Sequence, residues 1–410
     1  MSLAWIAIAA LVIAVALSFT TAINVGIVAM AMAWIIGVYL GGMSVGEVIA
    51  GFPTTLLVTL IGVTLLFSIA QSNGTLARIT GRAVGICRGR VGLLPFMFFG
   101  LGLGIATIGP GGTPASALLA PPAMAVAGRA GISPFLMAIM VGNGTLAGTL
   151  SPFAPTGIVA NGVMERIGLS GVEWHTYAYN AVAHAVVAFA GFALFGGLRL
   201  FGKKTARAAT SDAGAMDRRH WLTVAGIGLF ILGVAGFDMH VGMTGFLISA
   251  ILILLGTVDQ REAIQGVPWG VILMVTGVSV LVSIFEATQG MELFTSGMAR
   301  VASPTTLAPI VAFGAGVISV YSSTSGVVLP AFLPMVPGLS TGVGVVDPLH
   351  IAWSMNVGAS LVDLSSLSTV GALFLAAAPE GTDTRSLFNK LLAWGLAMSV
   401  AAAVMCGLWF

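Results

Sequence analysis

The sequence predicts an all-α polytopic membrane protein, and three observations carry that prediction. Only 7% of the 410 residues are Asp, Glu, Lys or Arg, against roughly 25% in an ordinary soluble domain. Apolar residues make up 58% of the chain and fall in runs long enough to span a bilayer core of about 30 Å. The two halves of the chain also repeat one another in order. A lipid bilayer is therefore the expected solvent for most of the surface. A secreted enzyme, a nucleic-acid binder and a disordered scaffold are excluded. The net charge of +2 is too small to indicate a partner.

Apolar runs at 3–19, 22–41 and 53–71 read as three spans. The first lacks a basic segment before it, so it is a transmembrane helix rather than a signal peptide. The stretch 71–91 is amphipathic and basic, an interfacial arm. Residues 92–128 are apolar but cut by Pro110-Gly111-Gly112-Thr113-Pro114, which predicts a re-entrant hairpin. Residues 133–160 form a long run interrupted by small polar residues, a broken helix, and 176–201 closes the half. The segment 202–220 is polar and charged, a linker. The second half has spans at 221–237, 241–257 and 268–286 and an arm at 287–304. A hairpin at 305–337 follows, cut by Ser322-Ser323-Thr324-Ser325-Gly326, then a broken helix at 350–378 and a closing span at 388–410.

The repeat units are 1–201 and 221–410. Gly62-Val63-Thr64-Leu65-Leu66-Phe67-Ser68-Ile69 aligns with Gly277-Val278-Ser279-Val280-Leu281-Val282-Ser283-Ile284. Leu150-Ser151-Pro152-Phe153-Ala154-Pro155-Thr156-Gly157 aligns with Leu364-Ser365-Ser366-Leu367-Ser368-Thr369-Val370-Gly371. Thr113 and Thr324 fall in matching hairpin breaks, and Asn143 and Asn356 precede the second pair by similar distances. A hairpin returns to its own side, so each half has about five crossings, ten spans in all. Two sequential repeats with an odd number of crossings have opposite orientations. With the linker in the cytoplasm and both termini outside, only Arg166 and Arg300 of the 16 Lys and Arg residues lie outside, as the positive-inside rule requires.

A charge inside a span is expensive and usually functional. Asp363, at the second helix break, is the clear case: it contributes to a cation or proton site, or it caps the half-helix that follows. His184 reads as a neutral, hydrogen-bonded histidine, and Glu286 as reaching the outer interface. Cys87 and Cys406 fall on opposite sides and are expected to be inert. The sequence 197–204 resembles a phosphate-binding loop but lacks its final Ser or Thr and follows no strand. No metal spacing, organic cofactor site or paired nucleophile and base is visible, so the chain is not expected to be an enzyme. The breaks carry the stronger signal. Non-helical backbone at membrane depth lines a wet cavity or is buried in protein. Half-helix N-termini suit a carboxylate, while freed carbonyls and hydroxyls suit a hard cation.

Three stretches together resemble a known family. They are Gly142-Asn143-Gly144-Thr145 through Ser151-Pro152-Phe153-Ala154-Pro155-Thr156-Gly157, Tyr321-Ser322-Ser323-Thr324-Ser325-Gly326-Val327-Val328-Leu329-Pro330, and Val362-Asp363-Leu364-Ser365-Ser366-Leu367-Ser368-Thr369. They look like the malonate/dicarboxylate carriers of the MatC type, related to the divalent-anion/sodium symporters of the ion transporter superfamily. The resemblance implies an elevator-type architecture. The hairpins and broken helices would form a transport body that slides against a scaffold of the other spans, and the scaffold would also hold a homodimer together in the inner membrane. It further implies secondary transport of a small carboxylate anion such as malonate or succinate, with Na⁺ as the coupling ion. By position, Gly112, Thr113, Pro114, Ser323 and Thr324 at the tips, with Thr156 and Ser366, would bind substrate. Asn143, Ser151, Asn356, Asp363, Ser365 and Ser368 would be candidate Na⁺ ligands. The symporters' Ser-Asn-Thr tip signature is absent from both hairpins, and the breaks differ from their Thr-Pro-Pro-Asn type. Na⁺ and H⁺ coupling therefore both stay open. So do two other readings, the membrane subunit of a binding-protein-dependent carboxylate transporter and a cation/proton antiporter.

Overall fold

The computed structural model describes residues 3–20, 23–86, 90–203, 215–290, 293, 296–297 and 302–410. Cys87, Arg88, Arg300, much of the arm 287–304 and the linker residues 204–214 lie outside the described residues.

The first half contains α1 (Leu3–Thr20), α2 (Val25–Trp34, prolonged by a wider turn over Ile35–Leu40), the short α3 (Val45–Ala50), α4 (Thr54–Ser72) and α5 (Thr75–Ile86). α6 (Leu94–Ile108) and α7 (Gly112–Ala130) occupy the region expected to form the first hairpin. α8 (Pro134–Ala147) and α9 (Pro155–Arg166) form the first broken helix, and α10 (Glu173–Leu194) closes the half. The second half contains α11 (Arg218–Phe237), α12 (Val241–Leu254), α13 (Gln260–Gln265) and α14 (Trp269–Ala287). α15 (Leu307–Tyr321) and α16 (Thr324–Gly342) flank the second hairpin break. α17 (Pro348–Leu361) and α18 (Thr369–Ala376) form the second broken helix, and α19 (Thr384–Trp409) ends the chain.

Local chemistry sets the ends of these helices. Pro134, Pro155 and Pro348 open α8, α9 and α17, where the missing N–H is not needed. Asn24 caps α2 by accepting from the Gly26 N–H at 3.0 Å. Ser44 and Glu47 form a reciprocal capping box on α3. There the Ser44 backbone N–H and hydroxyl hold the Glu47 carboxyl below the usual carboxylate range. At the tip of the first hairpin, Gly109 (φ 150°) and Gly111 (φ 81°) adopt backbone angles that side chains disfavour.

Six of the described helices, including α4, α10, α14 and α19, are long and apolar enough to cross a membrane, and shorter apolar helices lie among them. With its large apolar exposed residues along α1, α2, α12 and α19, the chain is a multi-pass membrane protein. Two helix pairs bring backbone against backbone across the halves. A Cβ on Gly26 of α2 would overlap the Leu273 carbonyl of α14, and one on Gly277 of α14 would overlap the Gly26 carbonyl. Likewise Gly62 of α4 meets the Gly242 carbonyl of α12, and Gly245 meets that of Gly62. Small residues permit this approach where lipid gives no hydrophobic drive between helices. A separate buried core joins α6, α7, α8 and α10 to α17, α18 and α19, with Phe98, Met137, Leu361 and Phe374 fully enclosed.

These contacts predict that Gly277→Ala destabilises the protein by about 1–3 kcal/mol, because two backbones must part. Gly100→Ala, whose Cβ would meet nothing within 4 Å, should be neutral or slightly stabilising. Thermal melts of the detergent-solubilised variants, followed by size-exclusion chromatography, check the difference.

Candidate functional site

The two hairpin tips and the two helix breaks meet around a cavity of about 320 Å³. Thr113 and Thr149 face it from the first half, with Thr156 at the start of α9. Ser322, Ser323, Thr324 and Ser325 line it from the second hairpin, and Asp363, Ser368 and Thr369 from the second break. Ile23, Val25, Leu146, Met274, Leu367 and Val370 supply the apolar wall. Helices α7, α9, α16 and α18 all have their N-termini here, at Gly112, Pro155, Thr324 and Thr369. Asp363 is the one ionisable side chain among the described lining residues, and none of them is Lys, Arg or His.

Asp363 is held by hydroxyls. The Thr324 hydroxyl lies 2.7 and 2.8 Å from its two carboxylate oxygens, and the Ser319 hydroxyl 3.3 Å from Oδ1. Ser319 and Thr324 are 2.5 Å apart, and Thr324 also lies 3.2 Å from the Ala359 carbonyl. Asp363 does not cap α18. Ser368 does, accepting from the Gly371 N–H at 3.2 Å and donating to the carbonyls of Ser365 and Asp363. The capping alternative for Asp363 is thereby corrected: it lies five residues before the cap, where its carboxylate turns to the hairpin. The oxygens of Ser319, Thr324, Ala359 and Asp363 form a hard donor set, which fits Na⁺ or a proton better than a soft transition metal. Among the described residues, no cluster of three His, Cys, Asp or Glu could hold a transition metal.

Of the expected substrate residues, Thr113, Thr156, Ser323 and Thr324 line the cavity. Gly112 shapes it through its N–H, which lies 3.4 Å from the Thr149 hydroxyl, and Pro114 follows in the first turn of α7. Ser366 is buried, its hydroxyl without a hydrogen-bond partner among the described residues, and it does not line the cavity. Of the expected cation ligands, Asp363 and Ser368 line the cavity. Ser151 and Ser365 are spent on nearby backbone: Ser151 donates to the Thr107 carbonyl of α6 at 2.6 Å, and each accepts from the N–H two residues on, at 3.2 and 3.3 Å.

Asn143 is fully buried, its amide committed to the Ile139 carbonyl (2.9 Å) and to His184 Nδ1 (2.9 Å). Asn356 Nδ2 lies 3.4 Å from the Met164 sulfur. The two asparagines are not equivalent. Gly144 packs on the Phe99 backbone as Gly358 packs on that of Ala312, and this register sets Asn143 against Val357 and Asn356 against Gly142. Sequence reasoning left out Thr149 and Ser319. Thr149 was readable: it precedes Leu150-Ser151 as Asp363 precedes Leu364-Ser365. His184 is hydrogen-bonded as expected, and Glu286 is exposed at the end of α14, near Arg166. A second cavity of about 930 Å³, lined by Phe52, Asn161, Arg166 and Trp174 among others, contains neither hairpin tip.

Comparison with known proteins bears on this arrangement. Residues 1–149 match the family of the dicarboxylate carrier protein MatC, N-terminus. That is the family the three motifs resemble, found over the first 149 residues. No curated protein matches the sequence. Among solved structures, the crystal structure of the Alcanivorax borkumensis YdaH transporter, described as having an unusual topology, superposes with a TM-score of 0.61 at 16% identity. The match covers 90% of this chain and 88% of that one, and it establishes a shared fold.

The hydroxyl cage predicts that Thr324→Val lowers thermal stability by about 1–3 kcal/mol, the range for a buried hydrogen bond to a carboxylate. Thr324→Ser should keep most of it. Equal melting of the two variants would show that Asp363 does not depend on this hydroxyl.

Proposed function

We propose that the protein is a secondary transporter of small carboxylates, malonate or succinate being the expected size, driven by a cation gradient. The convergence of four helix N-termini on a hydroxyl-lined cavity carries this reading. Each N-terminus presents partial positive charge, and the first-turn N–H groups not taken by the Thr149, Ser323 and Ser368 hydroxyls or the Thr149 carbonyl can together hold a carboxylate without any Lys or Arg. A dicarboxylate needs little volume, and 320 Å³ accommodates one with a few waters. Beside it Asp363, with Ser319 and Thr324, is the place for the coupling ion, Na⁺ or H⁺.

The same reading takes 1–201 and 221–410 as an inverted repeat. The reciprocal glycine contacts of α2 with α14 and of α4 with α12 support it. So do Gly157 and Gly371, each pressed on the carbonyl of the matching Ser151 or Ser365. The core shared by α6–α8, α10 and α17–α19 suits a body that moves as a unit, with α1, α2, α4, α11, α12 and α14 as a dimeric scaffold. An elevator motion would then carry the cavity across the inner membrane while the hairpin tips stay closed on the cargo. The linker would face the cytoplasm and both termini the outside.

The test is uptake of labelled malonate and succinate into proteoliposomes containing only this chain, under separate Na⁺ and pH gradients. Accumulation under one gradient is the expected outcome and identifies the ion. Thr324→Ala should abolish it without loss of folded protein. Uptake that required an added binding protein would make the chain a subunit instead. Anion-independent Na⁺/H⁺ exchange would make it an antiporter.

A further inference from the structure

One buried face of α10 joins the two helix breaks to each other. Thr176, Asn180 and His184 stand four residues apart on that face, all buried. Asn180 Nδ2 donates to the carbonyls of Leu146 (2.9 Å) and Ala147 (3.3 Å), the end of α8. His184 lies 2.9 Å from Asn143 Oδ1 of α8 and, through Nε2, 3.0 Å from the Ser360 hydroxyl of α17. The Asn143 amide donates to Ile139, so its oxygen faces the ring. One proton on His184 Nδ1 then satisfies that contact, and Ser360 donates to Nε2. Thr176 accepts from the Trp353 indole of α17 at 3.1 Å.

The carbonyls and helix ends reached by this face are those that place the cavity walls. The Thr149 N–H donates to the Leu146 carbonyl at 3.1 Å, and the Asp363 N–H to the Ser360 carbonyl at 3.2 Å. Thr149 and Asp363 are the cavity-lining residues at the matching points of the two breaks. Asn180 pairs the Ala147 carbonyl at the end of α8, where intrahelical partners run out, while His184 and Thr176 hold α17 through the Ser360 and Trp353 side chains.

We propose that Asn180 and His184 are positioning residues that fix the separation of the two breaks, and hence the length of carboxylate the cavity accepts. They touch no cargo and act through Leu146, Ser360 and the turns that follow. The proposal deepens the carboxylate-transport reading and rests on it. A misplacement of about 1 Å from a change outside the site can matter greatly, all the more where the site measures length.

The experiment is competition by unlabelled malonate, succinate and glutarate against labelled malonate uptake, in proteoliposomes of the full chain. Wild type should discriminate among the three. In His184→Ala and Asn180→Ala the KM for malonate should rise about tenfold, the loss of a positioning bond. The preference among the three lengths should shrink to within about threefold, with maximal rate per folded protein retained. His184→Gln, which can both donate and accept, should restore discrimination. Ser360→Ala removes one small hydroxyl and covers the case in which the larger changes impair folding; it should shift the preference the same way, less strongly. Unchanged length preference in the folded variants, or an equal loss of uptake for all three acids, overturns the proposal, as does a wild type that does not discriminate by length. A wild type that carries none of the three defeats the transport reading itself.

Discussion

Backbone amides and carbonyls cannot be left without partners in hydrocarbon, and this fold depends on how it meets that constraint at four interruptions. Each hairpin tip and each helix break frees groups that a continuous helix would pair. At the first break, Asn180 takes the carbonyls of Leu146 and Ala147, and Ser151 takes that of Thr107. At the second, Ser368 takes the carbonyls of Ser365 and Asp363, and Thr324 lies against that of Ala359. The side chains that mend the backbone are short hydroxyls and amides. Gathered around one cavity, they make a polar chamber in an apolar body, so structural repair and the making of a site share one chemistry.

Close packing makes that gathering possible. Glycine at 144 and 358 lets α8 and α17 lie on the backbones of α6 and α15, which holds each hairpin against its broken helix. Elsewhere Gly26, Gly62, Gly242 and Gly277 let helices of one half touch helices of the other. Adding even a methyl group at these points would open a gap along a whole helix, because interiors at this density do not absorb it locally.

The all-helical membrane character and the places where the helices are interrupted were legible in the sequence. Composition sets the solvent, and Gly, Pro and Ser in the middle of apolar runs mark where helices stop. What was not legible is which polar group faces the chamber. Ser151 and Ser365 are spent on turns, whereas Ser323 and Ser368 line the cavity and also cap. Those outcomes depend on the phase of the backbone as it leaves each break, which residue type does not determine. The asparagines illustrate the limit: similar spacing suggested equivalence, but a shift of one residue turns a helical side chain by roughly 100° and gives Asn143 to His184 and Asn356 to Met164. Asp363 was found because a charge in a span stands out. Its partner Ser319 was missed because a serine in an apolar run is commonplace.

The two breaks are alike in plan, and at one cavity-lining position the first has Thr149 where the second has Asp363. Malonate and succinate have two ends that no chemistry in free solution can tell apart. On the proposed reading, the ends of a dicarboxylate lying between the Thr149 hydroxyl and the Asp363 carboxylate would cease to be equivalent: one would face a neutral hydroxyl, the other a group of its own kind. A chamber that bound such a cargo would confer a direction on a molecule that has none, and an isotope placed in one carboxyl would occupy two physically distinct settings there.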